Sequence, residues 1–194
     1  MFNSSSRVNV YDLAYIAVFA ACIIVLAFVA IPVGGAGVPI VLQNAAVILA
    51  GLVLGGKRGL LVSILFLGIG MLGLPVLAGG RSTLAAIAGP TVGYLVGYIF
   101  APLLAGTVAY LAPIGASKAK LVAFLSTGGV LGLLAQYGFG IIGLIIRAGM
   151  DLQSALVAQT PFIPIDIIKL VGVVLIAAAV HAAFPDLRAG TRTQ

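Results

Sequence analysis

Glutamate is absent from this 194-residue chain and aspartate occurs only four times, against ten lysines and arginines. Charged residues make up 7% of the chain and hydrophobic ones 62%, with a mean hydropathy of +1.29. Ordinary soluble domains, in which about a quarter of residues are charged, are thereby excluded. The composition is that of an integral membrane protein. A single cysteine, Cys22, lies inside an apolar run and rules out an internal disulfide or a thiolate metal set. A single histidine, His181, stands without HExxH or zinc-type spacing, and Asp186 is the only carboxylate near it. Hydrolytic and metal chemistry are left without their residues, and an interfacial, non-catalytic position is expected for His181.

What is present is a succession of apolar runs bounded by glycine, proline or charge. Taking about 20 residues as enough to cross the hydrocarbon, they predict an all-α polytopic membrane protein, a compact bundle of six transmembrane helices. The expected spans are Asp12 to Ile31, Val41 to Gly55, Leu60 to Leu74, Gly89 to Leu111, Leu121 to Arg147 and Phe162 to Phe184, the second and third being short. The first run is too long for a signal-peptide core and is expected to be retained. With six helices, Arg7, Lys57, Arg58, Lys118, Lys120, Arg188 and Arg192 fall on one side, and only Arg81 and Arg147 on the other. By the positive-inside rule both termini are cytoplasmic, and the segments "IPVGGAGVP" and "LPVLAGGRST" face outward. The net charge of +6 is thus read as cytoplasmic loops rather than a nucleic-acid surface. One membrane-embedded domain is expected over residues 1–194, with short cytoplasmic tails at about 1–11 and 185–194.

Glycine recurs every fourth residue at Gly89, Gly93 and Gly97, and again at Gly128, Gly132 and Gly140 with Gln136 completing the series. That spacing lines one helix face, and the missing side chains let backbones approach closely. Helix packing is the expected role of the glycines. For the Gln136 amide, a bond to a neighbouring helix and a bond to a ligand are both open.

"GLVLGGK", Gly51 to Lys57, has the glycine and lysine spacing of a phosphate-binding loop, but Arg58 follows where serine or threonine must hold magnesium. The segment also ends a membrane helix instead of joining strand to helix. It is read as a glycine C-cap followed by cations, and no site for using ATP is expected in this chain.

Asp166 and Lys169 lie one turn inside the last apolar run, after Pro161 and Pro164. A spacing of three puts them on one helix face within pairing reach. An ionisable group in a membrane helix costs roughly 2.5–3.5 kcal/mol on insertion scales, and such groups face a bundle interior or a cavity. A purely structural pair is one reading. The other is a small-molecule site, favoured by the outward position beneath two glycine-rich loops and by backbone groups freed by the prolines.

Four segments then point to a family. "VPIVLQNAAVILAGLVLGGKRG", "GLPVLAGG", "GPTVGYLVGY" and "PFIPIDIIK", in this order and spacing, resemble the BioY family, the biotin-binding substrate component of energy-coupling factor (ECF) transporters. The resemblance runs from about Tyr15 to Ala178. It implies a six-helix protein that captures biotin at the outward face of a prokaryotic plasma membrane, has no enzymatic activity or cofactor of its own, and is energised by a separate transmembrane coupling protein and two ATPase subunits. It further implies that Asp166 and Lys169 belong to the biotin site and that the loop of Gly79 and Gly80 contributes. Arg81 stands where some relatives carry a small amide, and "RST" replaces a more glycine-rich stretch.

Chemistry suggests roles at these positions. Asp166 is an acceptor for a ureido N–H, and Lys169 and Arg81 are cations for the ureido carbonyl or the carboxylate. Tyr94 or Phe162 covers the ring or belongs to the core. Gln43 gates the site or supports it from behind. The resemblance also implies that small residues on the first helix dock the coupling protein, and Ala17 and Ala21 have the AxxxA spacing, although packing inside the bundle would use the same pattern. Two other functions compete: a self-sufficient secondary transporter coupled to protons through Asp166, and a membrane enzyme or assembly scaffold. No repeat between the halves is visible and Asp166 lies near one face, which weakens the first. The missing catalytic constellation weakens the second.

Overall fold

The computed structural model describes residues 10–31 and 40–189; most of the first expected outward loop, together with Arg7 and Arg192, lies outside them. The fold is an all-α polytopic bundle. Among the described residues the six longer helices are α1 (Val10–Ala27), α2 (Gln43–Leu54), α3 (Gly56–Met71), α5 (Val92–Ala109), α6 (Lys118–Ala148) and α8 (Ile163–Ala183). Three short ones, α4 (Thr83–Ile87), α7 (Leu152–Val157) and α9 (Asp186–Ala189), lie between or after them. Among the described residues, four helices, α1, α5, α6 and α8, are long and apolar enough to cross a membrane.

The other two explain their shortness by position. At 1.5 Å per residue α2 and α3 extend only about 18 and 24 Å, less than the ~30 Å hydrocarbon core. α2 is buried on every side, from Gln43 through Ala45–Ile48 to Ala50–Leu54. A helix apolar all round is stable in a core, where it needs no solvated or lipid-facing stripe. α2 is that central helix, with α1, α3, α5, α6 and α8 packed around it.

The element limits differ from the expected ones for local reasons. α1 stops at Ala27 because Ala30–Ile31 (β1) pairs antiparallel with Ile40–Val41 (β2). Lys57 and Arg58, expected in a loop, lie in the first turn of α3, because Gly55 alone (φ +86) turns the chain between α2 and α3. α5 begins at Val92, so Gly89 sits in the preceding turn and outside the glycine stripe. His181, expected at an interface, is buried at 5% exposure, with Nε2 2.9 Å from the Leu52 carbonyl and its ring edge-on to Tyr110. Tyr110 donates to the Val53 carbonyl at 2.6 Å. Arg58 pairs with Asp12 at 2.7 Å, and Arg188 donates to the Ala112 carbonyl. These contacts bring the start of α1, the ends of α2, α5 and α8, and α9 to one end of the bundle.

Among the described residues, Lys57, Arg58, Lys118, Lys120 and Arg188 gather at that end, and Arg81 and Arg147 stand at the other. Arg147 donates there to the Ile87 carbonyl at 3.0 Å, an orphan acceptor at the close of α4.

α5 and α6 form the most extensive helix pair, and their glycine stripes face each other. A Cβ at Gly93 would lie 2.1 Å from the Phe139 carbonyl oxygen, and one at Gly97 2.8 Å from the Gln136 Cα. From α6, a Cβ at Gly128 would lie 2.4 Å from the Ala105 carbonyl oxygen. These glycines are backbone contact surfaces, as their spacing predicts. The Gly93→Ala variant should therefore lower stability by about 1–3 kcal/mol, the cost of overpacking. Gly138→Ala, on the same pair of helices but with nothing within 4 Å of the added atom, should be neutral or slightly stabilising. Thermal unfolding of the two variants in detergent, followed by circular dichroism, checks this; equal midpoints would refute the close-approach role.

Candidate functional site

The end of the bundle opposite the basic cluster holds a cavity of about 430 Å³, within the size range of small-molecule sites. Its walls come from the starts of α2, α5 and α8, the second half of α6, the turn before α4, and the segment joining α6 to α8. Leu77, Leu95, Leu144, Met150 and Phe162 make much of the lining apolar.

The polar floor is built on Asp166, in the first turn of α8, where the positive end of the helix dipole favours a carboxylate. Asp166 is 5% exposed. Its Oδ1 accepts from the Asn44 amide at 3.0 Å and from Lys169 at 2.5 Å. Its Oδ2 accepts from the Tyr137 hydroxyl at 2.6 Å. Lys169 also donates to the Asn44 Oδ1 at 2.7 Å and to the Val41 carbonyl at 2.9 Å. The two charges thus share Asn44 as a bridging amide, donor to one and acceptor from the other. Gln136 donates to the Asn44 carbonyl at 3.0 Å, which fixes the first turn of α2 to α6. Gln43, 1% exposed, donates to the Val76 carbonyl at 2.7 Å and holds that turn from behind. At the side, Tyr94 donates to the Gln159 Oε1 at 2.7 Å, and the Gln159 amide donates to the Ala155 carbonyl at 3.0 Å. The Tyr94 ring fills the notch left by Gly140, where a Cβ would come within 2.3 Å of it.

Of the residues singled out from sequence, Asp166, Lys169, Arg81, Gln43, Tyr94, Phe162 and Gln136 all line this cavity. Gln136 makes the bond to a neighbouring helix and also borders the cavity. Gly79 and Gly80 do not line it. Their positive φ angles, +73 and +71, shape a turn closed by the Leu77 N–H donating to the Arg81 carbonyl at 2.9 Å, and Leu77, Ala78 and Arg81 reach the cavity instead. The "RST" stretch has a local reason: Ser82 caps α4 by accepting from the Ala85 N–H at 3.1 Å. Ala17 and Ala21 lie elsewhere, exposed on the outer face of α1, so they do not pack inside the bundle.

Sequence reading passed over Asn44, Tyr137 and Gln159. Asn44 had a visible signal, an amide beside Gln43 at the opening of an apolar helix. Tyr137 lies about 100° around α6 from the glycine stripe, which the four-residue pattern treats as outside. Gln159 acts from a non-helical connection whose prolines dominated the reading.

Three comparisons bear on this geometry. A sequence model of the BioY family matches residues 3–186. The chain is 39% identical over 181 residues to the biotin transporter BioY of Rhizobium etli, covering 92% of this chain and 97% of the relative. It is 38% identical over 186 residues to the biotin transporter BioY of Rhodobacter capsulatus, covering 90% and 95%. Its fold is similar to the crystal structure of the S-component for biotin from an ECF-type ABC transporter, with a TM-score of 0.79 and 31% identity, over 93% of this chain and 95% of that one.

The buried pair yields a stability test independent of ligand. Lys169→Met leaves the Asp166 carboxylate without its cation and should cost about 3–5 kcal/mol, whereas removing both charges, in Asp166→Leu with Lys169→Met, should recover much of that loss. Unfolding midpoints of the ligand-free proteins measure it. A double variant less stable than Lys169→Met alone would contradict the coupling.

Proposed function

Because the chain belongs to the BioY family, a family of transporters and not of enzymes, we propose that it is the membrane-embedded subunit that captures biotin for an ECF transporter. It works in the plasma membrane of a prokaryote as a single domain whose cavity opens to the outside and whose basic end faces the cytoplasm, as the excess of Lys and Arg there supports. A transmembrane coupling protein and two ATPase subunits supply the energy.

The observation that carries this reading is the Asp166, Lys169, Asn44 and Tyr137 network at the floor of an otherwise largely apolar cavity. Biotin has matching parts. Its bicyclic ring is apolar on its faces and suits walls of Tyr94, Phe162, Leu144 and Met150. Its ureido group carries two N–H donors, and Asp166 Oδ2, which accepts only from Tyr137 among the described residues, has capacity for one more donor. Lys169 then acts by pairing with Asp166 and aiming its carboxylate.

The test is equilibrium binding of radiolabelled biotin to the purified chain in nanodiscs, without ATP or partners, competed with dethiobiotin, thiamine and riboflavin. Biotin-selective binding is expected, weakened at least roughly tenfold, or about 1.4 kcal/mol, in Asp166→Asn. Absence of binding, or equal competition by riboflavin, overturns the reading.

The exposed face of α1 supports the docking role of Ala17 and Ala21, since two alanines four apart let another helix approach closely. Ala17→Leu with Ala21→Leu should leave biotin binding within about twofold, because neither residue lines the cavity, yet abolish ATP-driven uptake by the reconstituted complex. Retained uptake rate would remove these alanines from the interface.

A further inference from the structure

The polar groups around the cavity divide into two sets. At the floor the cation is fully engaged: Lys169 has three protons, and Asp166, Asn44 and the Val41 carbonyl accept all of them. Arg81 is the other cation lining the cavity. It is exposed at the rim, and among the described residues its guanidinium has no hydrogen-bond or ion-pair partner. The backbone beneath it is fixed on both sides. Its carbonyl accepts from Leu77, its own conformation is extended (φ −81, ψ 146), and Ser82 immediately begins the cap of α4.

These facts order any ligand that has one anionic end and one neutral hydrogen-bonding end. Placed at the floor, the anion would meet the Asp166 carboxylate and find the ammonium already saturated. At the rim, it meets five N–H donors that no described residue uses, in a planar fork that matches a carboxylate. We propose that Arg81 selects for the free carboxylate of the ligand: the ureido end lies against Asp166, the valeryl tail runs to the rim, and the guanidinium takes both carboxylate oxygens. The inference rests on the biotin reading above and goes further by fixing the ligand's direction and refusing its neutral tail derivatives. An amide-capped tail would fit the rim sterically but would leave the guanidinium without its anion.

The experiment compares biotin with biotinamide, which differs by the tail charge, on wild-type protein, Arg81→Gln and Arg81→Lys in nanodiscs. Wild type should hold biotin roughly tenfold tighter than biotinamide, the scale of one charge-assisted contact. Arg81→Gln should weaken biotin by about that factor, leave biotinamide within about twofold, and so bring the ratio near one. Arg81→Lys should keep part of the preference. An unchanged ratio in Arg81→Gln, equal binding of the two compounds by wild type, or loss of both compounds in Arg81→Gln overturns the proposal. Failure of wild type to bind either compound overturns the biotin reading itself, and is a distinct result.

Discussion

Lys169 has three protons to donate and the bundle supplies three acceptors, from Asp166 on its own helix and from Val41 and Asn44 at the start of α2. Within an apolar medium an ammonium is tolerated only when it is paired and its protons are used. This requirement fixes where the peripheral helix α8 meets the central helix α2. Tyr137 and Gln136, neighbours on α6, bring the third helix to the same point, one through the Asp166 carboxylate and the other through the Asn44 carbonyl. The floor of the cavity is the place where three helices satisfy one ion pair.

The space above that floor depends on backbone contact elsewhere. Gly93 and Gly97 bring α5 against α6, so Tyr94 and Tyr98 on α5 border the cavity together with Tyr137 on α6. Gly51 brings α2 against the backbone at Pro102, with a Cβ there only 2.3 Å from the Pro102 carbonyl oxygen. Pro102 lies inside α5 and lacks an N–H; a glycine opposite it lets α2 lie directly against its backbone. Small residues thus set how closely α2, α5 and α6 approach one another below and beside the cavity.

Much of this was legible in the sequence, and the limits have physical causes. Six apolar runs and two four-residue glycine series suffice for an all-α bundle with glycine-lined helix contacts, because both signals are local and periodic; that the two series meet each other is seen only in the structure. Asp166 and Lys169 stand out because charge is so scarce here. The partners of that pair were not legible. Asn44 lies 122 residues from Asp166 and its amide is ordinary in composition, while Tyr137 is 29 residues away and faces off the stripe that drew attention to α6. Nothing local encodes that these side chains converge; only packing around α2 brings them together. His181 shows the same limit from the other side. A histidine close to a helix end reads as interfacial, yet the Leu52 carbonyl and the Tyr110 ring enclose it.

The segment from Gly51 to Lys57 shows how one pattern acquires a different meaning in this medium. In a nucleotide-binding loop, glycines free backbone N–H groups to surround phosphate. Here the Gly55 N–H donates to the Gly51 carbonyl at 2.8 Å, and a Cβ at Gly56 would lie 2.6 Å from the Leu103 carbonyl oxygen. From the opposite helix, a Cβ at Gly106 would come within 2.4 Å of the Gly55 carbonyl carbon and the Gly56 nitrogen. The space a phosphate would need is occupied by α5, and Arg58 is turned to Asp12. The glycines that suggest nucleotide binding instead close the basic end of the bundle, leaving a cavity at one end and a packed joint at the other.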